Sequence, residues 1–255
     1  MSALTWIALG IFIAAYVFIA TELVNKTVIA LLGGALFVMI RVIGQEEAFR
    51  VIDWNVIFLL VSMMVIVNIT RTTGLFQYVA IKTAKFARGN PVRILILLSL
   101  VTAIFSAFLD NVTTILILTP VTILIAVELG ISPIPFIISE AVASNMGGTM
   151  TLIGDPPNIM IGSAAGLDFL SFITNLAPAI VVILIIFCII LYLTFRKKLV
   201  VSNERKARIM EFDEEKSIEN RPLLVKCLVV LSVVILGFLL HGFLEMEAST
   251  IALFG

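Results

Sequence analysis

Apolar runs of bilayer-spanning length recur along this chain, at about 4–21, 27–43, 55–70, 92–109, 112–128, 134–153, 173–195 and 223–243. A lipid interior offers backbone N–H and C=O groups no partner, so a run of ~20 apolar residues crosses as a helix, whose hydrogen bonds are internal. A barrel would show period-two alternation, and these runs do not alternate. Composition agrees, with 61% of residues hydrophobic and 13% charged and a mean hydropathy of +1.17, far from the soluble norm. The chain is therefore read as an all-α polytopic membrane protein whose surroundings are the lipid bilayer. A formal net charge of +0 gives nucleic acid no footing. Cys188 and Cys227 stand singly in apolar runs, without disulfide or metal spacing, and are expected to pack as small hydrophobes. No small-residue cleavage site follows the first run, so it is read as a retained helix.

Positive charge gathers in two places. Arg71, Lys82, Lys85, Arg88 and Arg93 lie in one loop, and Arg196, Lys197, Lys198, Arg205, Lys206 and Arg208 in another. The excess of Lys and Arg puts both on the cytoplasmic side. The second, at 196–222, also carries Glu204, Glu211, Asp213, Glu214, Glu215 and Glu219, and reads as a solvated linker. It divides two similar stretches. TVIALLG at 27–33 resembles STIALFG at 249–255, an offset of 222 (249 less 27), which also lays the run at 223–243 over residues 1–21. The expected organisation is a first transmembrane repeat over 1–195, a cytoplasmic linker over 196–222, and the start of a second repeat over 223–255. Counting spans back from the first basic loop puts the N-terminus outside, whereas the run at 223 starts inside. Matching segments of opposite orientation are an inverted repeat, a secondary-transporter architecture. On that reading 255 residues is a fragment whose C-terminal repeat is missing.

Two constellations are too polar for the lipid around them: FLDNVTTILILTP at 108–120 and SEAVASNMGGTMTLIGDPPNIMIG at 139–162. The first joins two short apolar arms at Asp110 and Asn111. It is read as a re-entrant hairpin whose tip lies against protein or a water-filled cavity, with Asp110 or Asn111 capping the second arm and Thr113 and Thr114 facing the tip. In the second, Glu140 and Ser144 share a helix face, with Asn145, Gly147, Gly148, Thr149 and Thr151 beyond. Pro156 and Pro157 remove two backbone donors, so carbonyls near Leu152 to Gly154 should lose their helical partners. With Asp155 these would bind a cation, while a helix restarting at Asn158 would aim its amide end at an anion. Glu140 is read either as a proton carrier or as the partner of a basic residue in the missing half. His241 is expected to be interfacial, and Glu22 and Lys26 to form a surface pair.

DNVTTILILTP and ASNMGGTMTLIGDPPN resemble the signatures of the ion transporter superfamily, which includes arsenite permeases, sodium/proton antiporters, the melanosomal P protein, and the citrate and dicarboxylate carriers. The resemblance covers nearly the whole chain. It implies two inverted repeats, each with a re-entrant hairpin and a broken helix, binding substrate and sodium where tip and break meet. Carried over, Asp110, Asn111 and Thr113 form the tip, and Gly148, Thr151, Gly154, Asp155, Pro156, Pro157 and Asn158 the break, with Asp110 and Asp155 as candidate sodium ligands. Dicarboxylate carriers have serine, asparagine and threonine at the tip and threonine before the prolines. Asp110 to Thr113 and Asp155 instead resemble the arsenite-permease and sodium/proton-antiporter branch.

The resulting expectation is a secondary active ion transporter of a prokaryotic cytoplasmic membrane. It would use alternating access, with sodium or a proton as coupling ion and no other cofactor, and carry a small inorganic ion or, alternatively, an organic anion. A second copy is a candidate partner. A passive channel is the expectation from another class. An enzyme is not expected, because Leu152 spoils the Gly-x-Gly-Asp pattern of intramembrane aspartyl proteases, and one histidine with no cysteine cluster leaves zinc chemistry without ligands.

Overall fold

A computed structural model describes residues 3–244 and 246–255, with the side chains of 3 and 241–244 left aside, so the expectation for His241 lies outside the described residues. The chain divides into two compact units, Met1–Trp54 and Asn55–Gly255. The first holds α1 (Ala3–Thr21), α2 (Lys26–Met39) and the short α3 (Gln45–Val51). α1 and α2 pack on each other, and Asn25 starts α2 by accepting the Thr27 amide at 2.9 Å. α1 is apolar on every face and has almost no protein cover, the surface of a helix solvated by lipid. Glu22 and Lys26 form the exposed ion pair expected of them, at 2.8 Å.

The second unit continues with α4 (Trp54–Arg71), α5 (Leu75–Phe86), α6 (Pro91–Ser106), α7 (Asn111–Leu129), α8 (Ile134–Thr149), α9 (Pro156–Ala165), α10 (Phe169–Asn175), α11 (Ala177–Phe195), α12 (Asn203–Met210), α13 (Arg221–Leu244) and α14 (Ala248–Phe254). Among the described residues there are no strands, and α1, α4, α7, α11 and α13 are long and apolar enough to cross a membrane. α6 is a shorter apolar helix. The protein is an α-helical polytopic membrane protein.

One core joins α5, α6, α7 and α8, where Ile94, Leu95, Leu98, Leu118, Ile125 and Phe136 are almost wholly buried. A second joins α4 to α9, α10, α13 and α14 through Leu59, Ile159, Phe169 and Phe238. α8 crosses α6 so closely that a Cβ on Gly147 would run into the Ala103 carbonyl. That is why a glycine stands there. α7 stops at Gly130, whose φ of 64° closes the helix in the left-handed region.

The sequence reading missed short helices, α3, α5 and α12 among them, and did not foresee that part of the linker docks. The basic loop at 71–93 contains α5, which buries Phe76, Ala80, Ile81 and Ala84 along one face. The segment 196–222 is not solvated throughout. α12 and a one-turn 3-10 helix (Glu214–Ser217) dock on α5 and α7, fully burying Ile209. Arg205 Nη1 donates to the Leu129 and Gly130 carbonyls at 3.2 and 3.1 Å, Lys85 pairs with Glu214, and the Glu219 amide donates to Thr73 O. Arg205 caps carbonyls at the end of α7, while Ile209 and the partly buried Phe212 pack into the α5–α7 core. Docking also puts the two basic segments on one side of the protein, as the charge count requires.

Candidate functional site

The hairpin of α6 and α7 turns over residues 107–110, and the turn is built from its own polar side chains. Asp110 has φ −64° and ψ 149°, and its Oδ1 accepts the Thr113 amide at 2.9 Å, so it is the N-cap of α7. Thr114 Oγ1 donates to Asp110 O at 2.9 Å, and the Val112 amide donates to Asn111 Oδ1 at 2.9 Å. Thr113 therefore contributes its backbone to the cap, and the buried Thr114 folds back on its own turn instead of facing outward.

The break follows α8. Its last turn ends at Thr149, earlier than the apolar run suggested, and α9 begins at Pro156 with Asp155 as its N-cap residue. Pro156 and Pro157 occupy the first helical positions, where a missing N–H costs least. The exposed carbonyls are closed from the far side. Asn158 Nδ2 donates to Gly148 O at 3.1 Å and to Thr151 O at 2.9 Å, and the Gly154 amide donates to Thr151 Oγ1 at 3.1 Å. So Asn158 closes the break, at carbonyls slightly before those expected. The two sides of the break touch backbone to backbone. A Cβ on Gly148 would lie 2.8 Å from Gly154 O, and one on Gly154 would lie 2.7 Å from Ser106 O.

Hairpin and break are tied together. Thr151 Oγ1 donates to Ala107 O, Ser106 Oγ donates to Ser144 O at 2.7 Å, and Asn111 Nδ2 donates to Asn145 Oδ1 at 2.9 Å. Asp110 and Thr113 from the tip, Ile153 and Pro156 from the break, and Leu59 and Met63 from α4 line one cavity of about 470 Å³. The charge of Asp110 acts on the Asp155 carboxylate. Asp155 makes no side-chain capping bond, and neither acid forms an ion pair among the described residues.

The amide ends offer less than the sequence suggested. α9 lacks two N–H groups to proline, and the Asn158 amide is spent on Asp155 O at 3.0 Å. At α7, the Thr113 amide is held by Asp110, so the acid already stands where an anion would bind.

A family profile described as citrate transporter matches residues 16–255. The chain belongs to the citrate transporter family. It is 48% identical to an uncharacterized transporter of Mycobacterium tuberculosis and 46% identical to a 46 kDa membrane protein of Mycobacterium leprae, each match covering 98% of this chain and 59% of the relative. It is also 37% identical to the human P protein, over 82% of this chain and 26% of that protein. The chain thus spans less than two thirds of the length of the curated relatives it matches. A P protein relative is what the tip and break motifs implied.

Within this citrate transporter family member, Asp110, Asn111, Thr113, Asn145, Gly148, Thr151, Gly154, Asp155 and Asn158 come together around the tip and break, with Ser144 and Thr114 buried just behind them. Thr149 bonds its own helix, donating to Asn145 O at 2.8 Å. Glu140 is not at this site. It accepts from Thr122 Oγ1 at 2.7 Å, and Thr122 lies about 18 Å along α7 from Asp110 at ~1.5 Å per residue. Sequence reasoning missed Ser106, Thr122 and the α4 wall. The two hydroxyls, isolated in apolar runs, were a usable signal, but Leu59 and Met63 look like any lipid-facing residues.

Proposed function

We propose that this chain forms half of a secondary active transporter that works by alternating access, with Asp110 and Asp155 holding a coupling cation, sodium or a proton, at the tip and break. The observation that carries this reading is the meeting of tip and break, where Asp110 lines the cavity and Asp155 stands beside the lining Pro156 as the N-cap residue of α9, neither acid with an ionic partner among the described residues. Like charges in a poorly solvated place repel one another, and a bound cation relieves both. The Thr113 and Asn158 amides, already bonded to Asp110 Oδ1 and Asp155 O, support the same reading, since they are not free for an anion. The exchange expected is of the sodium/proton-antiporter or arsenite-permease type. A second reading is favoured by the family description: an organic anion such as citrate would enter with the cation, whose charge it shares.

The experiment uses the full-length protein in proteoliposomes with an internal pH dye, and sodium or lithium added outside. The expected result is a cation-driven pH change that Asp155→Asn abolishes. If the variant responds as the parent does, the cation site is misplaced. If no cation evokes a pH change, the same vesicles are given labelled citrate with sodium. Accumulation that is lost in Asp155→Asn would keep the cation site and move the substrate to the organic anions; accumulation that survives would sink the site.

A further inference from the structure

Glu140 lies in the middle of α8 with none of its surface exposed. Its Oε1 accepts one hydrogen bond, from the neutral hydroxyl of Thr122, and its Oε2 has no partner. One turn before Thr122 on α7, Thr119 Oγ1 is also buried and unpartnered. The helices packed on α8 are α6, α7 and α11. Their charged groups are Arg93, exposed at the start of α6, and Glu128, half-buried in the last turn of α7, with Asp110 at the far end of α7 as its cap. α11 contributes only Cys188 and Tyr192 as titratable groups, and α8 has no other. Among the described residues none of these pairs with Glu140.

A bare carboxylate enclosed in this way would give up its water for a single hydroxyl bond, a poor exchange by a wide margin. Nor can a basic side chain from elsewhere in a longer protein compensate, because Glu140 has no surface for it to reach unless α6, α7 and α8 separate. Of the two readings open at the sequence level, enclosure removes the ion pair. The neutral acid fits the surroundings, with Oε1 as acceptor for Thr122 and Oε2 carrying hydrogen on the side of the unsatisfied Thr119 hydroxyl.

We propose that Glu140 is a proton-binding site inside the α6–α7–α8 scaffold, distinct from the Asp110 and Asp155 site. Its Oε2 takes a proton from water admitted when this packing opens and returns it to water by the same route. α7 and α8 are the helices that end in the tip and the break, so displacement of either changes the cover over Glu140. This last step, coupling to transport, rests on the proposed function; proton binding itself does not.

Infrared spectra of the full-length protein at neutral pH test the binding. The expected result is a C=O stretch of a protonated carboxyl that shifts in heavy water, is absent from Glu140→Gln, and moves in Thr122→Val, which removes the hydrogen bond to Oε1. A spectrum in which neither variant changes that band overturns the site, as does the lack of any such band. The coupling role is read from the pH profile of cation-driven transport, which Glu140→Gln should flatten; an unchanged profile overturns that role. Should the parent protein move no cation at all, the transport reading fails, while the infrared result still decides the proton site.

Discussion

Asn158 undoes with one side chain what Pro156 and Pro157 do to the backbone. The prolines cannot donate, and the amide Nδ2 reaches back to Gly148 O and Thr151 O in their place. Asn158→Asp replaces that donor with an acceptor and leaves two carbonyls facing a charge, so a loss of about 1–3 kcal/mol or more is expected. Thermal unfolding in detergent checks it, and a melting temperature equal to the parent's would show that the bonds are dispensable. Gly154→Ala tests the other side of the break. Its Cβ would press on the backbone of Gly148 and Ser106, and overpacking of this kind costs about 1–3 kcal/mol. The prolines made the break legible in the sequence, because a missing N–H is a property of the residue itself. Which carbonyls are freed, and which side chain repairs them, depends on how the chain folds across the gap.

At the scale of elements, the docked segment 196–222 is the part most open to test. Arg205 ends α7 by donating to the carbonyls of Leu129 and Gly130, so Arg205→Ala should raise hydrogen exchange in α12 without altering that of α4. Acid should loosen the same segment. The Lys85 ammonium, by hydrogen bond and charge, holds the Glu214 carboxyl below its usual value of 4.5. A depressed acid contributes stability that is present above the unfolded value and lost as pH falls through the folded one. Exchange in the 3-10 turn is therefore expected to rise only below about pH 4.5, and Lys85→Met should abolish that dependence; loosening near neutrality would assign it to another group. The long helices were readable from their apolar runs, since lipid imposes that length and composition. The short ones were not. α5 mixes Gln77, Lys82 and Lys85 with a buried face of Phe76, Ala80, Ile81 and Ala84, and only a neighbouring surface makes such a stripe into a helix that packs.

For the whole molecule, the repeat supplies the prediction. α14 starts 222 positions after α2 (248 less 26), with Glu247 and Asn25 in matching N-cap positions, so the similarity of the two heptapeptides extends to where their helices begin. On the transporter reading, inverted repeats build one site between them. The 255-residue chain alone, reconstituted without a partner chain, is therefore expected not to transport; cation-driven flux through it would refute the shared site. The sequence by itself determined that this is a helical membrane protein, where its long spans lie, which two segments carry the polar residues, and that the basic segments share a side. Those conclusions follow from length, hydropathy and residue chemistry, which are local. Only the tertiary structure decided that tip and break close on one cavity, that the Thr113 and Asn158 amides are already occupied, that the linker is docked, and that Glu140 is sealed away from the site. Each of those depends on which backbone approaches which, and residues far apart in sequence set that distance by packing.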